Sequence, residues 1–214
     1  MFNKKDLQLD LYLVTDRDLS LGRSLDQVVE AAIKGGTTVV QLREKDMDTR
    51  DFIEEARRIR EITSTYSVPL LINDRVDVAL AVGADGVHLG QQDMPHELAR
   101  KILGEQAIIG WSVETIEQAE EANAFDVDYI AASPVFRTPT KEELQQELGL
   151  EGVRKIAALS RHPVVGIGSI KAHNAADIIK AGADGVAVVS GICSAEDPQE
   201  ASRELIQIVH HAKS

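Results

Sequence analysis

The chain has 214 residues, with 35 acidic against 23 basic side chains and a formal net charge of −12. That balance argues against nucleic acid as the main partner, because a phosphate backbone requires a net basic face. Hydrophobic residues at 43% can bury a sizeable core, aromatics at 4% make that core aliphatic, and the single cysteine, Cys193, leaves no disulfide framework. The start, Met1 to Asp6, has no apolar signal segment, and no run approaches the roughly 18 apolar residues of a membrane span. A soluble, cytoplasmic protein with no membrane partner is expected.

In chain order, short aliphatic runs alternate with amphipathic ones. Leu11–Thr15 reads as a strand, then Ser24–Lys34 as a helix that Ser24 opens and Gly35-Gly36 closes. Thr38–Leu42 precedes a helix over Thr49–Tyr66, and Pro69–Ile72 precedes Val76–Val82. Gly86–Leu89 leads to Pro95–Leu103, and Ala107–Gly110 to Thr115–Ala124. Tyr129–Ala132 leads to Gly149–Leu159, Val164–Ile167 to Ala172–Lys180, and Gly185–Val189 to Pro198–Ala212. The strand runs are apolar on both faces, as in parallel sheets covered by helices.

Eight such units at about 27 residues each predict an α/β fold, a single (β/α)8 TIM barrel occupying residues 1–214 as one domain. The alternative is a doubly wound open sheet, which spaces its strands similarly. A repeat favours closure: Val82-Gly83-Ala84-Asp85-Gly86-Val87 returns 99 residues later as Ala181-Gly182-Ala183-Asp184-Gly185-Val186. The copies fall before the fourth and eighth strands.

In a parallel barrel the chemistry gathers where strands end. Gln41-Leu42-Arg43-Glu44-Lys45 ends the second strand, Asn73-Asp74-Arg75 follows the third, and Gly90-Gln91-Gln92-Asp93 the fourth. Ser112 follows the fifth, and Ser133 to Lys141 the sixth. Arg43, Lys45 and Lys141 are donors suited to phosphate oxygens, while Asp74 and Asp93 are hard oxygen ligands for one Mg²⁺. Cations, one Mg²⁺ and the Asn73 amide around one mouth suit a diphosphate leaving group. Gly168-Ser169 and Ser190-Gly191, each before a short helical turn, suggest a second anion site built from backbone N–H groups. Singly, each residue has a plainer role: a turn Asp caps, a loop Lys is solvated, His88 fills the barrel interior, and His210-His211 lies on the surface. Cys193 reads as a small buried residue.

These residues carry a resemblance to the thiamine-phosphate synthase family. It covers Leu13-Val14-Thr15-Asp16-Arg17, Gln41 to Lys45, Asn73 to Ala79, Asp85 to Gln91, Ser133 to Phe136 with Thr138-Pro139-Thr140-Lys141, Gly149 to Gly152, and ends at Ala195 to Pro198. The resemblance implies that hydroxymethylpyrimidine diphosphate couples with hydroxyethylthiazole phosphate, giving thiamine phosphate and diphosphate by a dissociative, Mg²⁺-assisted substitution. It implies catalytic roles for Arg43, Lys45, Ser112 and Lys141, and Mg²⁺ ligands at Asp74 and Asp93. Substrate contacts implied are Gln41, Leu42, Arg43, Glu44, Lys45, Asn73, Ser112, Thr138, Pro139, Thr140, Lys141, Ser169, Val189 and Ser190. Two positions depart from the family pattern, Ser169 and Ser133, each standing where a glycine is usual. Rival functions are a thiazole tautomerase paralogue and a non-catalytic phosphate-binding barrel; a homo-oligomer is left open.

Overall fold

The computed structural model describes residues 2–137 and 147–214. Thr138, Pro139, Thr140 and Lys141 lie outside the described residues. The strands are β1 Leu11–Val14, β2 Val39–Leu42, β3 Leu70–Asn73, β4 Gly86–Leu89, β5 Ile108–Val113, β6 Tyr129–Ala132, β7 Val164–Ile167 and β8 Gly185–Val188. Each pairs in parallel with the next, and β8 pairs with β1, so the sheet closes as a barrel. Closure decides against the open doubly wound sheet. The helices are α1 Leu25–Gly35, α2 Thr49–Thr65, α3 Val76–Val82, α4 His96–Leu103, α5 Ile116–Ala122, α6 Gly149–Leu159, α7 Ala172–Lys180, a short α8 Ser190–Cys193, and α9 Pro198–Lys213. None of the described helices is long and apolar enough to cross a membrane.

Local chemistry sets the helix ends. Ser24 and Gln27 form a reciprocal capping box at the start of α1, and Gly36, at φ 112°, takes the left-handed turn that closes it. Asp48 and Asp197 cap α2 and α9 one-sidedly, each accepting two backbone N–H groups.

Strand alternation divides the apolar residues into two clusters. Outward side chains such as Val40, Leu42, Ile72, Leu89 and Val186 pack beneath the helices. Inward ones, among them Tyr12, Val39, Leu71, Ile108, Tyr129 and Val165, fill the barrel. The fifth strand differs from its expected end at Gly110: it continues through Trp111, Ser112 and Val113. Gly110 is there for space rather than for a turn, since a Cβ on it would sit 2.2 Å from the Tyr129 phenol and 2.6 Å from His88 Nδ1. Ser112 therefore lies within the strand, with its side chain on the inner face. The short turn expected after Ser190-Gly191 is α8, whereas Gly168-Ser169 leads by a bend directly toward α7.

The repeat noted in sequence is one half of a fourfold pattern at the amino ends of the strands. Asp85, just before β4, donates its N–H to the Leu70 carbonyl at 2.9 Å, and its carboxylate accepts the Leu70 N–H at 2.9 Å. Asp184, before β8, does the same with Val164 at 2.7 and 2.7 Å. Asp128, before β6, closes the same ring with Ile109 at 2.7 and 2.8 Å. Thr38, before β2, closes it with Leu11 at 2.8 and 3.2 Å, using its hydroxyl. A polar side chain before each even strand thus staples the start of the odd strand preceding it.

Candidate active site at the carboxyl ends of the strands

An acidic pair sits where β3 and β4 end. Asp74 takes φ 61°, a left-handed conformation that Asp tolerates better than most residues, and its N–H donates to the His88 carbonyl at 2.9 Å. Asp93 lies in the turn after β4, where its Oδ2 accepts the Gly90 N–H at 2.6 Å. The two carboxyl groups are close enough to interact directly. Burial, and then the neighbouring Asp93 carboxylate, push the Asp74 pKa up to about 7, against the opposing pull of Asn73 and Arg43. Two carboxyls so close cannot both ionise without a proton or a cation between them. Among the described residues no group of three or more His, Cys, Asp or Glu side chains stands together. The pair therefore suits an ion that completes its shell with phosphate and water, as Mg²⁺ does.

Arg43 stands beside it. The Arg43 guanidinium lies 3.6 Å from Asp16, and its backbone N–H donates to Thr15 Oγ1 at 3.0 Å, which anchors the end of β2 to β1. Lys45 is exposed and makes no ion pair among the described residues. Glu44 is engaged elsewhere: Arg17 bridges it to Glu55, donating to Glu44 Oε1 at 2.9 Å. Burial and the adjacent Glu55 hold the Glu44 pKa up at about 7 despite Arg17. The Leu42 side chain is fully buried under the helices, so only its backbone is open to a ligand.

Beneath the mouth, the barrel interior holds a polar chain. Gln41 Nε2 donates to the Tyr12 hydroxyl at 2.7 Å, and that hydroxyl lies 2.7 Å from the Tyr129 hydroxyl. Tyr129 Oη is 2.9 Å from His88 Nδ1, and His88 Nε2 is 2.9 Å from Ser112 Oγ. The Ser112 carbonyl meanwhile accepts from Gln91 Nε2 at 2.6 Å. Sequence reasoning singled out Gln41 and Ser112 and placed His88 inside the barrel, but passed over Tyr12 and Tyr129. Polar-tipped side chains at inward positions of otherwise aliphatic strands were the available signal.

On the opposite side, β6, β7 and β8 end together. Gly168 has φ 121°, and a Cβ there would lie 3.0 Å from both the Pro134 Cβ and the Val135 nitrogen. Ser169 also has positive φ, 51°; its hydroxyl donates to the Arg137 carbonyl at 2.7 Å, and its carbonyl accepts from Asn174 at 3.1 Å. That hydroxyl links the β7 loop to the segment leaving β6. Val189 and Ser190 open α8, and a Cβ on Gly191 would stand 3.1 Å from the Ile170 carbonyl, so the two small-residue turns are in contact. Cys193 is fully buried, and burial raises its thiol to about 11, which leaves no thiolate near neutrality. His210 and His211 are exposed on α9.

A closed (β/α)8 barrel with paired carboxylates, a half-buried arginine and two small-residue turns at its carboxyl face has the architecture of a barrel enzyme. The family profile described as thiamine monophosphate synthase matches residues 11–192. A thiamine-phosphate synthase from Leptospira biflexa is 54% identical over 196 residues, covering 90% of this chain and 93% of its own. One from Clostridium novyi is 49% identical over 203 residues, covering 95% and 100%. Among solved structures, a thiamine phosphate pyrophosphorylase from Pyrococcus furiosus superposes with a TM-score of 0.89 at 42% identity, covering 99% of this chain and 98% of that one. The chain belongs to the thiamine monophosphate synthase family.

Proposed function

We propose that the protein couples hydroxymethylpyrimidine diphosphate to hydroxyethylthiazole phosphate, the transferase activity of thiamine-phosphate synthases. The observation that carries this reading is the closely interacting Asp74–Asp93 carboxyl pair beside Arg43 at the barrel mouth. The pair fits one Mg²⁺, which when bound neutralises charge on a diphosphate leaving group. Arg43, Lys45 and Lys141 balance the remaining charge, and Gln41, Asn73 and Ser112 orient the pyrimidine half. The carbon–oxygen bond breaks with its electron pair leaving on diphosphate, and the aminopyrimidine ring delocalises the resulting cation. The thiazole nitrogen then donates its lone pair to form the new carbon–nitrogen bond. No protein nucleophile is needed, which agrees with the buried, protonated Cys193. The N–H groups around Ser169, Val189 and Ser190 hold the thiazole phosphate, joined by Thr138, Pro139 and Thr140. Residues 1–214 then form one catalytic domain, working in the cytoplasm on small molecules.

Purified protein mixed with both substrates and Mg²⁺ should release thiamine phosphate and diphosphate in equal amounts. Interconversion of thiazole tautomers without diphosphate release would instead identify a tautomerase, and binding without turnover a phosphate-binding barrel.

A further inference from the structure

The five side chains Gln41, Tyr12, Tyr129, His88 and Ser112 come from β2, β1, β6, β4 and β5 and form one unbroken hydrogen-bonded row. Its first four members are at most 8% exposed, and Ser112 alone reaches the half-buried edge of the mouth. The direction of the row follows from what each group can do. An amide nitrogen only donates, so the Tyr12 oxygen accepts from Gln41; the Tyr12–Tyr129 bond can run either way by itself, and the arrangement that leaves no buried proton without an acceptor sends the Tyr12 proton to Tyr129 Oη. Tyr129 then directs its proton to His88 Nδ1. Burial pushes both phenol pKa values up, so both stay as O–H groups. With Nδ1 accepting, the neutral imidazole carries its proton on Nε2 and donates it to Ser112 Oγ.

We propose that Tyr12, Tyr129 and His88, with the Gln41 amide donating at the far end of the row, are positioning residues that lock His88 as the Nε2–H tautomer, so that Ser112 accepts from below and turns its own hydroxyl proton outward to a lone pair on the bound substrate. Gly110 is the condition for this arrangement, since any Cβ there would collide with both Tyr129 and His88 Nδ1. A half-satisfied polar row in a barrel interior is costly, whereas one whose protons all run the same way fixes the last donor without further ordering on binding. The proposal rests on the synthase reading only for the identity of the substrate.

The test is ¹⁵N NMR of the histidines in the ligand-free protein, assigned by comparison with His88→Gln. The Nε2–H tautomer is expected at His88; a protonated Nδ1 overturns the proposal whatever the enzyme's activity. Tyr129→Phe keeps the ring and removes the link, and kcat/KM for the pyrimidine substrate should fall about 10-fold, the worth of one net hydrogen bond. The His88 signals should move toward a mixture of tautomers in the same variant. Titrations with inorganic diphosphate alone and with the pyrimidine alcohol alone then show which half of the substrate supplies the lone pair. Tyr129→Phe should weaken one of the two, and unchanged binding of both together with wild-type kinetics overturns the proposal. Tyr12→Phe provides the same readouts if Tyr129→Phe fails to fold. Loss of thiamine phosphate formation in the wild-type protein would defeat the synthase reading while leaving the tautomer result standing.

Discussion

At the scale of single residues, the Asp74–Asp93 pair determines how the site responds to metal and to pH. Asp93→Ala should abolish Mg²⁺-dependent turnover while the far-UV circular dichroism stays that of the parent, because Asp93 is half-buried in a turn and contributes nothing to the strand cores. Residual Mg²⁺-dependent activity would remove Asp93 from the metal site. The Asp74 carboxyl, with its pKa raised from 3.8 to about 7, holds a proton in the folded protein that the unfolded chain has already released. Its contribution to stability is thus full below 3.8 and is lost as pH rises through about 7. Mg²⁺ must displace that proton, so its affinity should strengthen as pH rises across the same interval. The melting temperature of the metal-free protein should therefore decline between about pH 6 and about pH 8, and the rise produced by Mg²⁺ should be larger at the higher value. Equal Mg²⁺ shifts at both would show that Asp74 does not meet the ion.

At the scale of elements, the two ends of the strands do different work. The amino-end staples are structural, and Asp85 is the most heavily engaged. Besides Leu70 it accepts the Phe2 N–H at 3.0 Å and holds Arg60 through two bonds of 2.8 and 3.0 Å. Asp85→Ala leaves a buried Leu70 N–H and the Arg60 guanidinium without their acceptor, and should lower the urea-unfolding free energy by about 3 kcal/mol. Turnover at saturating substrate should remain, since Asp85 lies at the opposite face of the barrel from the site. What was legible in the sequence at this scale follows a physical rule. Helix termini were readable because caps act within three or four residues, as Ser24 with Gln27 and Gly36 with α1 show. The end of β5 was misplaced because a glycine in a strand looks like punctuation, whereas Gly110 answers to side chains 22 positions upstream and 19 downstream. For the same reason the acid pair and the basic motif could be located from strand ends alone, while the Tyr12–Tyr129 contact, between residues 117 apart, could not. Strand alternation indicates that a side chain points inward, but not which strand it meets across the barrel.

At the scale of the whole molecule, a net charge of −12 surrounds a site meant for an anion. Local cations determine whether diphosphate binds, and the global field determines how fast it arrives. The screening length shrinks from about 30 Å at 0.01 M salt to about 10 Å at 0.1 M. Long-range repulsion should therefore fade over that range while the contacts in the mouth persist. The association rate of inorganic diphosphate with the Mg²⁺-loaded protein is expected to rise with salt; a steep fall would mean that the mouth's own charge dominates at long distance.

The four staples also divide the barrel in a way its seamless hydrogen bonding conceals. Leu11 with Thr38 and Leu70 with Asp85 lie wholly in the first half of the chain, and Ile109 with Asp128 and Val164 with Asp184 wholly in the second. Gly104, in the exposed turn that closes α4 at φ 85°, separates them. The chain is in this sense two half-barrels of matching construction laid end to end. A cut at that turn would sever none of the four rings, so interruption there should be tolerated, with each half carrying its own strand-starting bonds into reassembly with the other.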